Sequence, residues 1–221
     1  MENKGDTSHR LENSLENPPQ EEGVEKFLKE QIFPDLEKGR PEFDKPHTQA
    51  VVTKLKDILY NVPNLQVDRA VLIIVAYAHD WGYSELFEGG KPVQLKEMAD
   101  AKIAHMDFGA QKLEELLKDD FFNYLTGTQK ERAVYLVRVH DRDEVWPGAD
   151  DDVRIFVEAD TLGVLDVNLV KPTFNRKSNQ IWIDKTVKPK RMQAFLTDYS
   201  KKEAERLIEK REEYYRLKNA K

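Results

Sequence analysis

The chain has no cysteine among its 221 residues. That absence excludes disulfides, thiolate metal sites and a cysteine nucleophile, and it fits a cytoplasmic protein. Any metal must be held by His, Asp, Glu, carbonyl oxygen or water. Those ligands suit iron, manganese, magnesium or zinc and not a soft metal. Long apolar runs are missing as well. The longest, Ala70–Ala78, falls far short of the roughly 20 residues that span a bilayer, so no membrane partner is expected. The N-terminal stretch has no apolar segment of the kind a secretory signal carries. The chain shows no internal repeat and no glycine-rich phosphate loop. It also lacks an overall positive charge: the net charge is −6, which argues against a nucleic-acid partner.

The charge that is present is unevenly placed. Residues 1–170 carry 20 basic and 34 acidic side chains, whereas 171–221 carry 15 and 7. Lys171 to Arg191 alone holds seven basic residues and one acid. This stretch reads either as a solvated lysine-rich surface or as a local attractor for an anionic substrate.

Hydropathy patterning predicts an all-α chain in three parts. Residues 1–20 are polar and end in Pro18-Pro19, the composition of a disordered arm. Residues 21–170 form the predicted domain, and 171–221 a basic segment with a long C-terminal amphipathic helix. Within the domain, Val24, Phe27, Leu28, Ile32 and Leu36 recur at helical spacing until Gly39. A second helix is predicted over 47–60. Asp68 is a predicted cap for a third, Arg69–His79. That segment is apolar nearly all round, the mark of a buried helix. Gly82 to Pro92 reads as a loop. Further helices are predicted over Leu95–Leu117, with a break near His105, over 128–141, and over Asp150–Val167. Residues 168–190 read as irregular, with a short strand at Gln180–Asp184. Met192 to Tyr214 then carries one helical pattern, packed on the domain or forming a homodimer interface with Tyr214 and Tyr215 as anchors.

The chemistry is concentrated in a few residues. His79 and Asp80 close the buried helix, where an uncompensated carboxylate costs several kcal/mol. A divalent cation removes that cost; pairing of the two side chains with each other or with solvent is the alternative. Only five histidines occur. His9 lies in the arm, while His47, His79, His105 and His140 each fall at or near an end of a predicted helix. Asp160 lies mid-helix among apolar neighbours in FVEADTLG. Glu158 is set off the Asp160 face. Asp141, Asp143 and Glu144 read as a solvated loop or as carboxylates orienting His140. Trp81, Trp146 and Trp182 read as core or rim aromatics.

The order His47, His79-Asp80, Asp160 resembles the signature of the HD-domain superfamily. AYAHDWGY resembles that family's apolar helix running into the His-Asp pair and a glycine, and VEADTLGVLD its final aspartate helix. HMDFGAQKL resembles the second-histidine helix of its dinuclear branch. The resemblance covers roughly residues 22–167 and implies an all-α HD bundle with metal between the helices. It implies His47, His79, Asp80 and Asp160 on one ion, and Asp80, His105 and His140 on a second, with Asp80 shared. Where many dinuclear members carry a His-His pair, this chain has His140-Asp141.

The activity implied is a metal-dependent phosphohydrolase acting on a small phosphorylated substrate, with a nucleotide the expected class. One or two divalent ions would serve it, iron or manganese being favoured. Asp80, His105 and His140 are the expected catalytic residues. Lys91, Lys102, Arg138, Arg142 and Lys171 are candidate phosphate contacts. A mixed-valent di-iron oxygenase uses the same ligand order, and a non-catalytic HD ligand-binding module is the remaining alternative.

Overall fold

The most apolar segment of the sequence becomes the centre of the fold. In this computed structural model, which describes residues 19–40, 42–87 and 95–218, helix α3 (Arg69–Ala78) buries every residue from Val71 to Ala78. Asp68 caps it, accepting a hydrogen bond from the Val71 backbone amide at 3.1 Å. Each fully buried aliphatic side chain of this kind contributes about 1.5–3 kcal/mol. Helices α1 (Glu21–Leu36), α2 (Asp44–Asn61), α4 (Leu95–Leu116), α5 (Gly127–Val139) and α6 (Asp151–Leu165) all pack against α3. Every regular element among the described residues is helical. The predicted arm, with His9, and Lys91 lie outside the described residues, except that Pro19 and Gln20 lead into α1.

Two close approaches fix how the helices meet. Helices α2 and α6 run side by side in the same direction. His47 meets Asp160, Val51 meets Gly163, and Lys54 meets Asp166. A Cβ on Gly163 would lie 3.0 Å from both the backbone nitrogen and a methyl group of Val51. The short 3-10 turn Trp81–Glu85 that follows the His-Asp pair presses on α4 more tightly still. A Cβ on Gly82 would lie 1.9 Å from the His105 carbonyl oxygen and 2.6 Å from the Gly109 nitrogen.

Several expectations need correction. The strand expected at Gln180–Asp184 is absent, and the segment expected to be irregular is largely helical. Asn175 caps α7 (Arg176–Trp182) through Ser178, and the chain continues as a π-helix over Ile183–Arg191. The alternation of Ile181 and Ile183 suggests a strand. Yet Ile181 is 52% exposed, and Gln180 hydrogen-bonds Asp184 one helical turn on. Helix α4 runs unbroken through His105, so that residue sits mid-helix. The C-terminal helix is also not one piece. After the short α8 (Met192–Ala194) the chain extends, and α9 (Asp198–Lys218) begins afresh. Glu158 causes the break: fully buried, it accepts hydrogen bonds from the backbone amides of Leu196 and Thr197 and from the Thr197 hydroxyl. Helix α9 packs against α6 and α2, burying Ala204, Leu207, Ile208 and Tyr215. Among the described residues no helix is long and apolar enough to cross a membrane.

Candidate metal centre

Four helices each deliver one histidine to a single point. His47 lies in the first turn of α2, His79 ends α3, His105 projects from mid-α4 and His140 ends α5. All four are buried, as is Asp80 between them. Oδ2 of Asp80 faces one pair, at 3.7 Å from His47 Nε2 and 3.5 Å from His79 Nε2. Oδ1 faces the other, at 3.6 Å from His105 Nε2 and 3.7 Å from His140 Nε2.

The tautomers follow from the other ring nitrogens. Nδ1 of His79, His105 and His140 lies 3.1, 3.3 and 2.8 Å from a carbonyl oxygen of its own helix, on Ala76, Ala101 and Val137 respectively. A carbonyl only accepts, so each Nδ1 carries a hydrogen, and each ring, when neutral, turns an Nε2 lone pair inward. His79 Nε2 is buried with no hydrogen-bond partner among the described residues. His105 Nε2 and His140 Nε2 stand 3.3 Å apart, so two lone pairs face each other unless a proton or a cation lies between them.

These residues fit a divalent cation. The donor atoms fall into two groups, His47/His79/Asp80 and Asp80/His105/His140, and within each group they lie within 4.8 Å of one another. Ligands bonded at about 2.1 Å to one ion stand roughly 3.0–3.4 Å apart. The 3.3–3.7 Å separations here need only slight contraction. Asp160 belongs to neither group. It lies beside the first, with Oδ1 3.0 Å from His47 Nε2 and Oδ2 held by Arg191 at 2.6 Å.

Burial and charge divide the four rings. Burial pushes His79 down to about 4. Burial and the neighbouring His140 push His105 to about 3. For His140, burial opposes charging, but Asp80 outweighs it and the ring is raised above its ordinary value. His47 is likewise raised, burial being overcome by Asp160 and Asp80. The carboxylate of Asp80 is held well below its usual range, since the surrounding imidazoles outweigh the cost of burial.

Side chains outside the ligand groups complete the centre. Arg191 donates to Asp160, to the Thr161 hydroxyl at 3.2 Å and to Asp141 at 2.5 Å, and its guanidinium lies 5.2 Å from the Trp146 ring. Asp141 is therefore half of an ion pair and not a solvated loop residue. Trp146 in turn donates to the His140 carbonyl at 3.1 Å. Tyr83 stacks on His105, centroids 4.0 Å apart and planes 6° apart. Above the histidines opens a cavity of about 150 Å³ that Arg40 and Arg191 also line. Lys102, Arg138, Arg142 and Lys171 do not line it. Lys102 pairs with Asp141 and Asp143, Arg142 with Asp107, and Arg138 and Lys171 are exposed. Arg191 closes the basic stretch, but nothing in the local pattern sets it apart from the lysines around it. Larger hollows elsewhere, of about 390 and 500 Å³, contain no histidine. Comparison with family models, with curated proteins and with solved structures returned no match.

Proposed function

We propose that this chain is a metal-dependent phosphohydrolase of the HD-domain type, acting on a small phosphorylated substrate. One observation carries the reading: a single buried carboxylate, Asp80, presents one oxygen to each of two histidine pairs. The residues that would hold metal are His47, His79 and Asp80 on one side and Asp80, His105 and His140 on the other, with Asp160 able to join the first. A divalent ion there supplies Lewis-acid polarisation of a phosphoryl oxygen and water acidified toward neutrality. The protein's own contribution is positional. The backbone carbonyls fix three rings with Nε2 inward, Tyr83 and Trp146 pin His105 and His140, and Arg191 holds Asp160 with one oxygen free toward His47. Arg40 and Arg191 place guanidinium donors in the cavity wall, but each is paired with carboxylates, Asp44 for the first and Asp141 and Asp160 for the second, so that most of the positive charge a phosphoryl group requires would come from the metal.

Asp80→Ala tests the reading. Losing about 4 kcal/mol of transition-state stabilisation lowers turnover about 10³-fold. Purified D80A should keep its helical circular dichroism, lose bound metal, and lose activity against a panel of phosphate esters and nucleotides by at least that factor. A folded D80A that retains full phosphatase activity overturns the assignment. The same donor set serves a di-iron oxygenase of the HD type. Oxygen-dependent turnover by the iron-loaded protein, with no phosphate released, decides for that alternative.

A further inference from the structure

Arg40 lies in the turn between α1 and α2, outside every ligand group, and lines the cavity above the histidines. Asp44, fully buried one helical turn away, holds it rigidly. Its carboxylate accepts from the Arg40 backbone amide at 3.0 Å, from Nε at 3.2 Å and from Nη2. The guanidinium sits among three aromatic rings, 4.1 Å from the centroid of Tyr83, 5.0 Å from Phe43 and 5.4 Å from Phe87. Since Tyr83 also stacks on His105, a continuous stack links Arg40 to the histidine cluster.

The remaining end of the guanidinium is poorly served. Nη1 has Met98 Sδ as its hydrogen-bond partner, at 2.8 Å. A thioether is a weak acceptor, whereas a guanidinium N–H is a strong, charged donor in a side chain only 12% exposed. A charged donor fixed by a carboxylate, stacked toward a candidate metal centre and ending on a sulfur has the form of a receptor for an anion. Cavity size sets the part of that anion that can sit against Arg40. About 150 Å³ holds on the order of five waters at roughly 30 Å³ each, whereas pockets for drug-sized ligands span roughly 300–1,000 Å³.

We propose that Arg40 is the anion-binding residue of this cavity, its Nη1 taking an oxygen of a compact phosphate monoester or of inorganic phosphate in place of the Met98 sulfur. The phosphohydrolase reading enters only through the identity of the anion. The inference narrows the nucleotide expected from the sequence to its phosphate, because a nucleoside attached to it would lie outside the cavity and gain nothing from Arg40. Asp44 is a positioning residue: it sets the direction of the guanidinium and leaves Nη1 to the ligand.

Titration calorimetry of the manganese-loaded full chain with inorganic phosphate, ethyl phosphate and adenosine monophosphate tests this. Arg40→Lys keeps the charge against Asp44 but loses the planar fork. The double variant R40M/D44N removes both charges together, so that neither is left buried alone. Both should bind phosphate and ethyl phosphate about tenfold or more weakly than wild type, as expected for loss of a hydrogen bond to a charged group, with manganese equivalents per chain unchanged. Wild-type affinity in either folded, metal-loaded variant overturns the proposal, as does a wild type that binds adenosine monophosphate tenfold more tightly than ethyl phosphate. The two readings fail separately. Phosphate bound through Arg40 with no ester turned over sinks the hydrolase alone; ester turnover with normal phosphate binding in R40K sinks the anion receptor alone.

Discussion

The two histidine pairs around Asp80 share one carboxylate but are built differently. His47 has a second carboxylate beside it, Asp160 at 3.0 Å, and its Nδ1 is buried without a partner among the described residues. For His105 and His140, Asp80 is the carboxylate they face, and each Nδ1 is fixed on its own helix, as that of His79 is on Ala76. The first pair offers a cation more negative charge. The second offers fewer protein ligands, and so would leave more of a cation's positions to water and substrate.

Removing one imidazole from each half should break this symmetry most visibly. Partners that merely orient a metal ligand typically cost 10–100-fold in affinity when removed, and a direct donor is expected to cost more. His105→Ala should therefore lose one manganese equivalent per chain and keep the other. His79→Ala should lower the affinity of the tighter ion by about 100-fold or more. Metal analysis after dialysis against graded chelator reads both. Equal losses in the two variants would mean that the halves do not differ.

The two halves were not equally legible in the sequence. His79-Asp80 stands out because it ends a run that is apolar on every side, and the structure buries that run entirely. Asp68 is also legible, since a cap acts within its own turn. The break expected near His105 is absent, and the neighbouring Ile103 is 46% exposed on an unbroken helix. Arg40 and Arg191 left no signal. Arg191 meets partners 31 and 50 residues away, and periodicity reports which face of a helix is buried, not which distant side chain that face will meet. Glu158 is legible as lying off the Asp160 face, but its partners Leu196 and Thr197, nearly forty residues on, are not.

Backbone contacts give the next largest effects, and each glycine serves one half. A methyl group at Gly82 meets the backbone of His105 and Gly109, which cannot rotate away. Gly82→Ala must push the chain carrying Asp80 off the helix carrying His105. A cost of about 1–3 kcal/mol is typical of overpacking, with loss of the second manganese equivalent. At Gly163 the contact is looser and partly with a methyl group of Val51. Gly163→Ala should cost less and act between His47 and Asp160. Urea midpoints together with metal content compare the two. A G82A protein with wild-type stability and full metal would remove Gly82 as the spacer of the second half.

A pH slope in the chelator-stripped protein is the smallest expected effect, and it separates the two rings of the second half. Burial and the charge of His140 depress His105 to about 3 from an ordinary value near 6.5. Between those values the unfolded chain takes a proton at residue 105 and the folded chain does not. His105 therefore favours folding less as pH falls, by up to about 1.4 kcal/mol per pH unit. His140 is raised, because Asp80 outweighs its burial. Its contribution is fully present below about 6.5 and is lost as pH rises through its folded value. The two rings act in different windows, His105 below about 6.5 and His140 above it, and other groups titrate in both, so the useful quantity is the difference in unfolding free energy between wild type and His105→Gln. That difference should shift against wild type steadily from pH 6.5 to pH 5. Parallel curves would show His105 taking up a proton in the folded state. The two rings would then share one proton across their 3.3 Å gap, and the gap would no longer require a cation.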